Sequence, residues 1–310
     1  MKDIPFDLRD VFCLNKAVFE DFENLVAKGE KEIEDEVIKT AEKIFEKGKD
    51  LKIVLVSGRS ASGKTTFTKK VCNKLCEMGR EAKYIGLDDF LLGFKFMPKN
   101  EDGTYDMESI KGLDVALANE CFRLLLTEGR ADFPTFDFPN QCRGEIWNRI
   151  ETGEDGIIVI EGIHALNPAL TENLPEGGIL RVYIEPKTAY KKDGKTVLFP
   201  EEVRLIRRIV RDELFRGWCA EKTLIQWKSV LAGEKIYIEP YIDSAEIKVD
   251  SSVIFEPAVF VEILTEMLER ISEESPFFEM AKEILEKIGE FSSADKEILP
   301  KDSLLREFLG

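Results

Sequence analysis

The chain of 310 residues has one histidine and two glutamines, and no long apolar run free of charge. A lone imidazole excludes the multi-histidine metal centres, whose ligand sets need several His and Cys together. No stretch reaches the roughly 20 apolar residues that a membrane-spanning helix needs. The opening Met1-Lys-Asp-Ile-Pro-Phe-Asp7 lacks the charged-then-apolar order of a secretory leader, so a cytoplasmic protein is expected. Six cysteines, at 13, 72, 76, 121, 142 and 219, include no Cys-x-x-Cys pair and read as reduced thiols. Cys72 and Cys76 stand one helical turn apart, but further metal ligands are missing, so both are expected as small buried apolar side chains.

Positive charge is scarce too, since 44 Lys and Arg against 60 Asp and Glu leave a net charge of −16. That balance argues against nucleic acid or an anionic membrane as partner, because both are bound through a basic surplus. Small-molecule phosphates held by local groups remain open. With 44% apolar and 34% charged residues the chain can bury a full core, and one principal α/β domain with helical additions is expected.

What is present is concentrated at residues 51–66, where the apolar Leu51-Lys-Ile-Val-Leu-Val56 runs into Ser-Gly58-Arg-Ser60-Ala-Ser62-Gly63-Lys64-Thr65-Thr66. Gly-x-x-x-x-Gly-Lys-Thr between a strand pattern and a helix pattern is a P-loop. Its backbone N–H groups wrap a phosphate chain, and side chains at the glycine positions would obstruct that approach. Lys64 reaches the outer phosphates, the Thr65 hydroxyl is suited to Mg²⁺, and the following helix turns its positive end toward the anion. Gly58, Ser60, Ser62, Gly63, Lys64, Thr65 and Thr66 are therefore the candidate ATP-binding residues.

Hydrophobic periodicity places one or two amphipathic helices over residues 19–47, strands at 51–56, 82–87, 156–160 and 180–184, and helices at 65–78 and 115–126. Residues 94–112 read as a long loop, of the kind that is usually functional. Asp193-Gly194 signals a hairpin. A basic helix follows at 201–216, then a helix at 220–231, a strand near 246–249 and a helical tail from Pro257. Strands alternating with helices predict a P-loop three-layer α/β fold with a mostly parallel sheet. The division expected is a helical extension at 1–50, a P-loop domain at 51–260 with a lid helix at 201–217, and a C-terminal helical extension at 261–310.

Two groups of acids fall at strand ends, where open α/β sheets bind ligands. Glu161 closes Ile157-Ile-Val-Ile160 and is the candidate partner of Thr65 in holding Mg²⁺. Asp88 and Asp89 close another strand, as an acceptor base or as the N-cap of a local turn. In the basic helix Arg204, Arg208 and Arg211 recur at i, i+4 and i+7 and share one face. Five arginines and no lysine suit bidentate phosphate contacts, and a lid closing over phosphates is expected.

Taken with Phe136-Asp-Phe138, Arg143, Glu161-Gly-Ile163 and Arg204-Leu-Ile-Arg207-Arg208-Ile-Val-Arg211-Asp212, the chain from about 51 to 259 resembles the uridine kinase family of P-loop kinases. The resemblance implies an ATP- and Mg²⁺-dependent kinase acting on the 5′-hydroxyl of a nucleoside, most simply uridine or cytidine, in an assembly of several copies. It implies Asp88 as base, Asp106, Arg208 and Gln226 on sugar hydroxyls, and Arg211 and Arg216 on ATP phosphates. Tyr105 and Phe138 would be aromatic walls for the base. Three positions depart from the family pattern: Phe136 replaces a tyrosine, Gln141 a histidine and Trp218 an arginine. All three concern base recognition, so triphosphate, metal and ribose handling are kept while base choice is relaxed or redirected. A kinase for a non-nucleoside alcohol, or a non-catalytic nucleotide switch, are the competing readings. His164 reads either as a substrate contact or as a hydrogen-bonded strand-end residue.

Overall fold

In a computed structural model of the protein, residues 9–100, 103–138, 140–172, 174 and 178–310 are described, and the N-terminal segment used above to exclude a leader lies outside them. In chain order the elements begin with α1 (Val11–Glu46), β1 (Ile53–Ser57), α2 (Lys64–Glu77), β2 (Ala82–Gly86) and α3 (Val115–Glu128). Four short strands follow, β3 (Arg130–Phe133), β4 (Phe136–Asp137), β5 (Cys142–Arg143) and β6 (Asn148–Glu151). Then come β7 (Ile157–Glu161), β8 (Ile179–Glu185), β9 (Tyr190–Lys192), β10 (Lys195–Leu198), α4 (Pro200–Arg216) and α5 (Ala220–Tyr237). The chain continues with β11 (Ile247–Asp250), α6 (Glu256–Leu268) and α7 (Phe278–Ile288).

These elements form two compact units, each discontinuous in the chain. One, the sheet unit, consists of Asp35–Glu185 and Gln226–Val249; the other, the helical unit, of the chain up to Glu34, Pro186–Ile225 and Asp250–Gly310.

In the sheet unit the strand order is β11-β8-β1-β7-β2. β1 pairs in parallel with β7 and β8, and β2 in parallel with β7. The fold class expected from the strand-helix alternation is thereby observed. Every residue of β1 and of β7 is buried, which explains why both read as unbroken apolar runs rather than alternating ones. Ile53, Leu55, Ile85, Ile158 and Ile160 pack on one face with Phe122 and Leu125 of α3 and with Phe90 and Phe133. α2 lies against β1, β2 and β7 with Phe67, Val71 and Leu75 buried, covering the other face. Each such buried side chain contributes about 1.5–3 kcal/mol. Cys72 is buried as expected, whereas Cys76, in the last turn of α2, is exposed; all six thiols are free.

Local chemistry accounts for most boundaries. α1 is broken at Asp21, whose carboxylate accepts from the Asn24 N–H at 3.1 Å and caps the segment in which the apolar period begins. Asp193 and Gly194 both take positive φ, 50° and 76°, matching a two-residue turn between β9 and β10. α5 runs six residues beyond the expected end at 231, because its Gly233 is absorbed within the helix.

In the helical unit α4 is not a solvated stripe. Every residue from Val203 to Asp212 is buried, arginines included. Arg207 is fully buried and bidentate with Glu256, at 2.6 and 3.0 Å, and donates to the Ser251 carbonyl at 3.0 Å. Its guanidinium also lies 5.2 Å from the centre of the Phe308 ring. This arginine therefore serves the core of its unit, and the helical tail around Leu304, Leu305 and Phe308 closes over it. Removing one partner of such a pair strands a buried charge, at a cost of about 3–5 kcal/mol. Arg207→Met is expected to lower the unfolding midpoint of the full chain accordingly, and Arg207→Met with Glu256→Leu to recover much of the loss in the same denaturant titration.

Candidate active site

The phosphate loop is built by close approach. A Cβ on Gly58 would lie 2.3 Å from the Ile184 carbonyl oxygen and 2.6 Å from Ser62 Oγ, so only glycine fits where β1 passes β8. Ala61 holds a left-handed φ of 58°, a conformation that costs energy for an L-residue and that accumulates at functional loops. Gly63, also left-handed, starts α2. Ser60, Ser62 and Lys64 are buried; Thr65 and Thr66 are half-buried. Ser62 Oγ has no hydrogen-bond partner.

The parallel register sets Glu161 opposite both Val56 of β1 and Gly86 of β2, at the carboxyl edge. There Thr65 Oγ1 donates to Glu161 Oε2 at 3.0 Å, and Lys64 Nζ lies 3.8 Å from Oε1. A third group was not foreseen: the Tyr84 hydroxyl of β2 donates to the same Oε2 at 3.1 Å. Burial and the adjacent Glu161 push the Tyr84 pKa well up, so it stays a donor. A glycine cradle, an unpartnered buried hydroxyl and a threonine hydroxyl paired with a carboxylate are what a nucleoside triphosphate and a hard divalent cation require, and these residues fit both.

The two acids after β2 separate cleanly. Gly162 lies so close to Leu87 that a Cβ would fall 2.6 Å from the leucine Cβ, which presses the 87–90 turn onto the end of β7. Asp89 is half-buried and accepts from the Phe136 N–H at 3.3 Å, and burial raises its pKa. Asp88 is exposed at the sheet edge. Asp89 thus anchors β4, leaving Asp88 as the carboxylate available to a ligand.

Asp106, Gln226 and the candidate aromatics Tyr105, Phe136 and Phe138 also lie in this unit. Tyr237, at the end of α5, donates to Asp106 Oδ2 at 3.1 Å and packs edge-on against His164, with ring centres 6.2 Å apart. Gln226 is buried and its Oε1 has no hydrogen-bond partner. Tyr105 packs edge-on with Phe94 at 5.4 Å, and Phe136 with Phe138 at 5.1 Å. Gln141 takes a left-handed φ of 55°, and its carbonyl accepts from the Phe94 N–H at 3.2 Å. Sequence reading missed Tyr84 and Tyr237; strand parity offered a hint for the first, since Tyr84 precedes Gly86 by two.

The remaining candidates lie in the helical unit. Asp212, buried in α4, faces Arg208 at 3.3 Å, Arg211 at 2.7 Å and Arg216 at 3.8 Å. Burial alone would raise its pKa, but Arg211, Arg208 and Arg216 outweigh that and hold it down at about 2. Trp218 is buried with Lys222 Nζ 4.0 Å above its ring. Thus the phosphate loop, Glu161, Asp88, Asp106, Gln226 and the smaller aromatics share one unit, while Arg208, Arg211, Arg216 and Trp218 share the other.

A profile of the Phosphoribulokinase / Uridine kinase family matches residues 53–254. A uridine kinase of Ureaplasma urealyticum is 24% identical over 198 residues, covering 64% of this chain and 86% of that protein. One from Borrelia duttonii is 25% identical over 229 residues, covering 73% and 98%. A solved structure from Bacillus stearothermophilus, described as a possible uridine kinase, is 18% identical over 71% of this chain and all of that one, with a TM-score of 0.48.

His164 is the chain's single histidine, which makes its protonation directly observable. Burial lowers its pKa from 6.5 to about 4, against a weaker opposing pull from Asp88. The imidazole should therefore show an NMR titration midpoint near 4 rather than 6.5. The unfolded chain takes up this proton first, so stability is expected to fall as pH drops from about 6.5 toward 4. A midpoint above 6 would mean the ring is solvated.

Proposed function

The chain belongs to the Phosphoribulokinase / Uridine kinase family, and from that membership we propose that it is an ATP- and Mg²⁺-dependent kinase for the 5′-hydroxyl of a nucleoside, uridine or cytidine first. The observation that carries this reading is the 3.0 Å contact of Thr65 with Glu161 on the same sheet edge that exposes Asp88. A pure nucleotide switch has no use for an exposed carboxylate beside its phosphate loop.

In this reading ATP, with Mg²⁺ held by Thr65 and Glu161, supplies the phosphoryl group and part of the charge neutralisation. Asp88 accepts the proton of the acceptor hydroxyl as that oxygen becomes a nucleophile. Lys64 binds phosphate oxygens; Arg211 and Arg216, to which the family resemblance gives the same role, are kept oriented by the Asp212 carboxylate rather than free to rotate. Asp106, Arg208 and Gln226 hold sugar hydroxyls, with Tyr237 fixing Asp106. Tyr105, Phe136, Phe138, Gln141 and Trp218 form the base pocket. The proposal includes a cytoplasmic location; among the described residues no helix is long and apolar enough to cross a membrane.

A second reading, a kinase for a non-nucleoside alcohol, draws on a specific feature. Phe136 and Phe138 pack on each other, and neither ring carries a hydrogen-bonding group with which to read a base. Phosphate transfer from ATP to uridine, cytidine, adenosine, guanosine and a set of sugars separates the two. Preference for a pyrimidine nucleoside is expected, with Asp88→Asn lowering kcat by about 10²–10⁴-fold. Transfer to sugars alone would replace the nucleoside reading with the second.

A further inference from the structure

The second residue of the phosphate loop, Arg59, has no role in the reading so far, yet its side chain is held by two carboxylates. It follows Gly58 directly, and its carbonyl accepts from the Ser62 N–H at 3.2 Å, so its backbone belongs to the curve that wraps the phosphates. Its guanidinium leaves the loop and donates through Nη2 to Glu239 Oε1 at 2.8 Å, while Nε lies 3.7 Å from Glu234 Oε2. Glu234 is almost fully buried on α5, and Glu239 is part-exposed just beyond that helix. Glu185, at the end of β8, also acts on Arg59, and the Tyr183 hydroxyl donates to Glu185 at 3.0 Å. Burial disfavours the arginine's charge, but Tyr183, Glu234, Glu185 and Glu239 together hold its pKa up.

Three carboxylates thus stand within one arginine side chain of a loop read here as a triphosphate cradle. Anions at that range repel one another unless a cation intervenes. The same guanidinium ties the loop to α5, whose Tyr237 fixes Asp106. A glycine or serine at this position would do neither.

We propose that Arg59 is a positioning residue of the phosphate loop: it neutralises the Glu185, Glu234 and Glu239 carboxylates beside the cradle and anchors the loop to α5, so that the loop accepts the triphosphate of ATP. Arg59 itself need not touch the nucleotide. The inference rests on the loop's reading as an ATP site and not on the identity of the acceptor.

Calorimetric titration of the full chain with ATP and Mg²⁺, in the absence of any acceptor, tests it. Arg59→Gln is expected to weaken binding about 10–100-fold, a loss that shrinks as salt is raised because the uncovered repulsion is screened. Arg59→Lys keeps the charge but not the two-carboxylate reach and should fall between. The decisive variant is Arg59→Gln with Glu239→Gln, which removes one of the uncovered negative charges and should bind at least about threefold tighter than the single variant, whereas a role in packing alone would leave the double variant no better than the single. Thermal unfolding without ligand identifies any variant that fails to fold; should Arg59→Gln fail, the Arg59→Lys and Glu239→Gln affinities carry the test, the first expected weaker and the second equal to or tighter than wild type. Wild-type affinity in Arg59→Gln, or no recovery in the folded double variant, overturns the proposal. Wild type that binds ATP but phosphorylates no nucleoside removes the nucleoside reading while the Arg59 comparison is decided by the same titrations; wild type that binds no ATP overturns both.

Discussion

One carboxylate organises the sheet unit. Glu161 is nearly inaccessible, and it accepts from Thr65 and Tyr84 while facing Lys64. Those partners come from the helix behind the phosphate loop and from a neighbouring strand. A buried carboxylate is tolerated only when its lone pairs are taken up, so all these elements must end at the same level of the sheet. The parallel order with β7 between β1 and β2 achieves this, because it brings the carboxyl ends of all three strands to one edge. Had β7 been antiparallel, Glu161 would stand at the opposite edge and the loop's lysine would lack its partner.

The same economy with buried charge explains the helical unit. α4 carries five arginines between Val203 and Arg216, and four of them lie inside. Arg207 is matched by Glu256, whereas Arg208, Arg211 and Arg216 converge on Asp212. Two different uses of one residue type sit side by side, since the adjacent Arg207 and Arg208 differ in direction by about 100° around the helix. Arg207 points into the unit's own core, with the Phe308 ring beside it. The others form a group around a single acid, which keeps long, entropy-rich side chains in place at no cost in new backbone structure.

Much of this was legible in the sequence, and the parts that were not share a cause. β1, α2, β2, β7 and β8 were found within one or two residues, because continuous apolar runs and local stop signals determine them without reference to the rest of the chain. Gly58, Lys64 and Thr65 were named as candidates from spacing along the chain and Glu161 from its place at a strand end, and the structure brings Lys64, Thr65 and Glu161 together. Tyr84, Tyr237 and Arg59 were missed because their roles arise from register and from contacts across 77, 131 and 180 residues. Helical spacing set Arg207 apart from the face of Arg204, Arg208 and Arg211, but its structural role depends on Glu256, 49 residues on. Nor does any composition shift mark the junctions at Glu34, Ile225 and Val249, since α1, α5 and β11 run straight through them. Elements, being local, were readable; units, being assembled from distant segments, were not.

A chain with a net charge of −16 that belongs to a kinase family must hold a highly charged anion against its own field. It does not do so by carrying a basic surface. The groups available near the loop are backbone N–H donors and one lysine already opposed by Glu161, with carboxylates of Glu185, Glu234 and Glu239 close by. In such surroundings each cation is balanced by a neighbouring acid, and the acids in turn must be kept from the phosphates. Local neutrality, pair by pair, then matters more than the total. An acidic protein can bind a triphosphate when carboxylates beside the loop are engaged, as Glu161 is, or paired with a cation, as Glu239 is with Arg59; the long-range field of −16 is screened within about 10 Å at ordinary salt and sets only how fast the anion arrives.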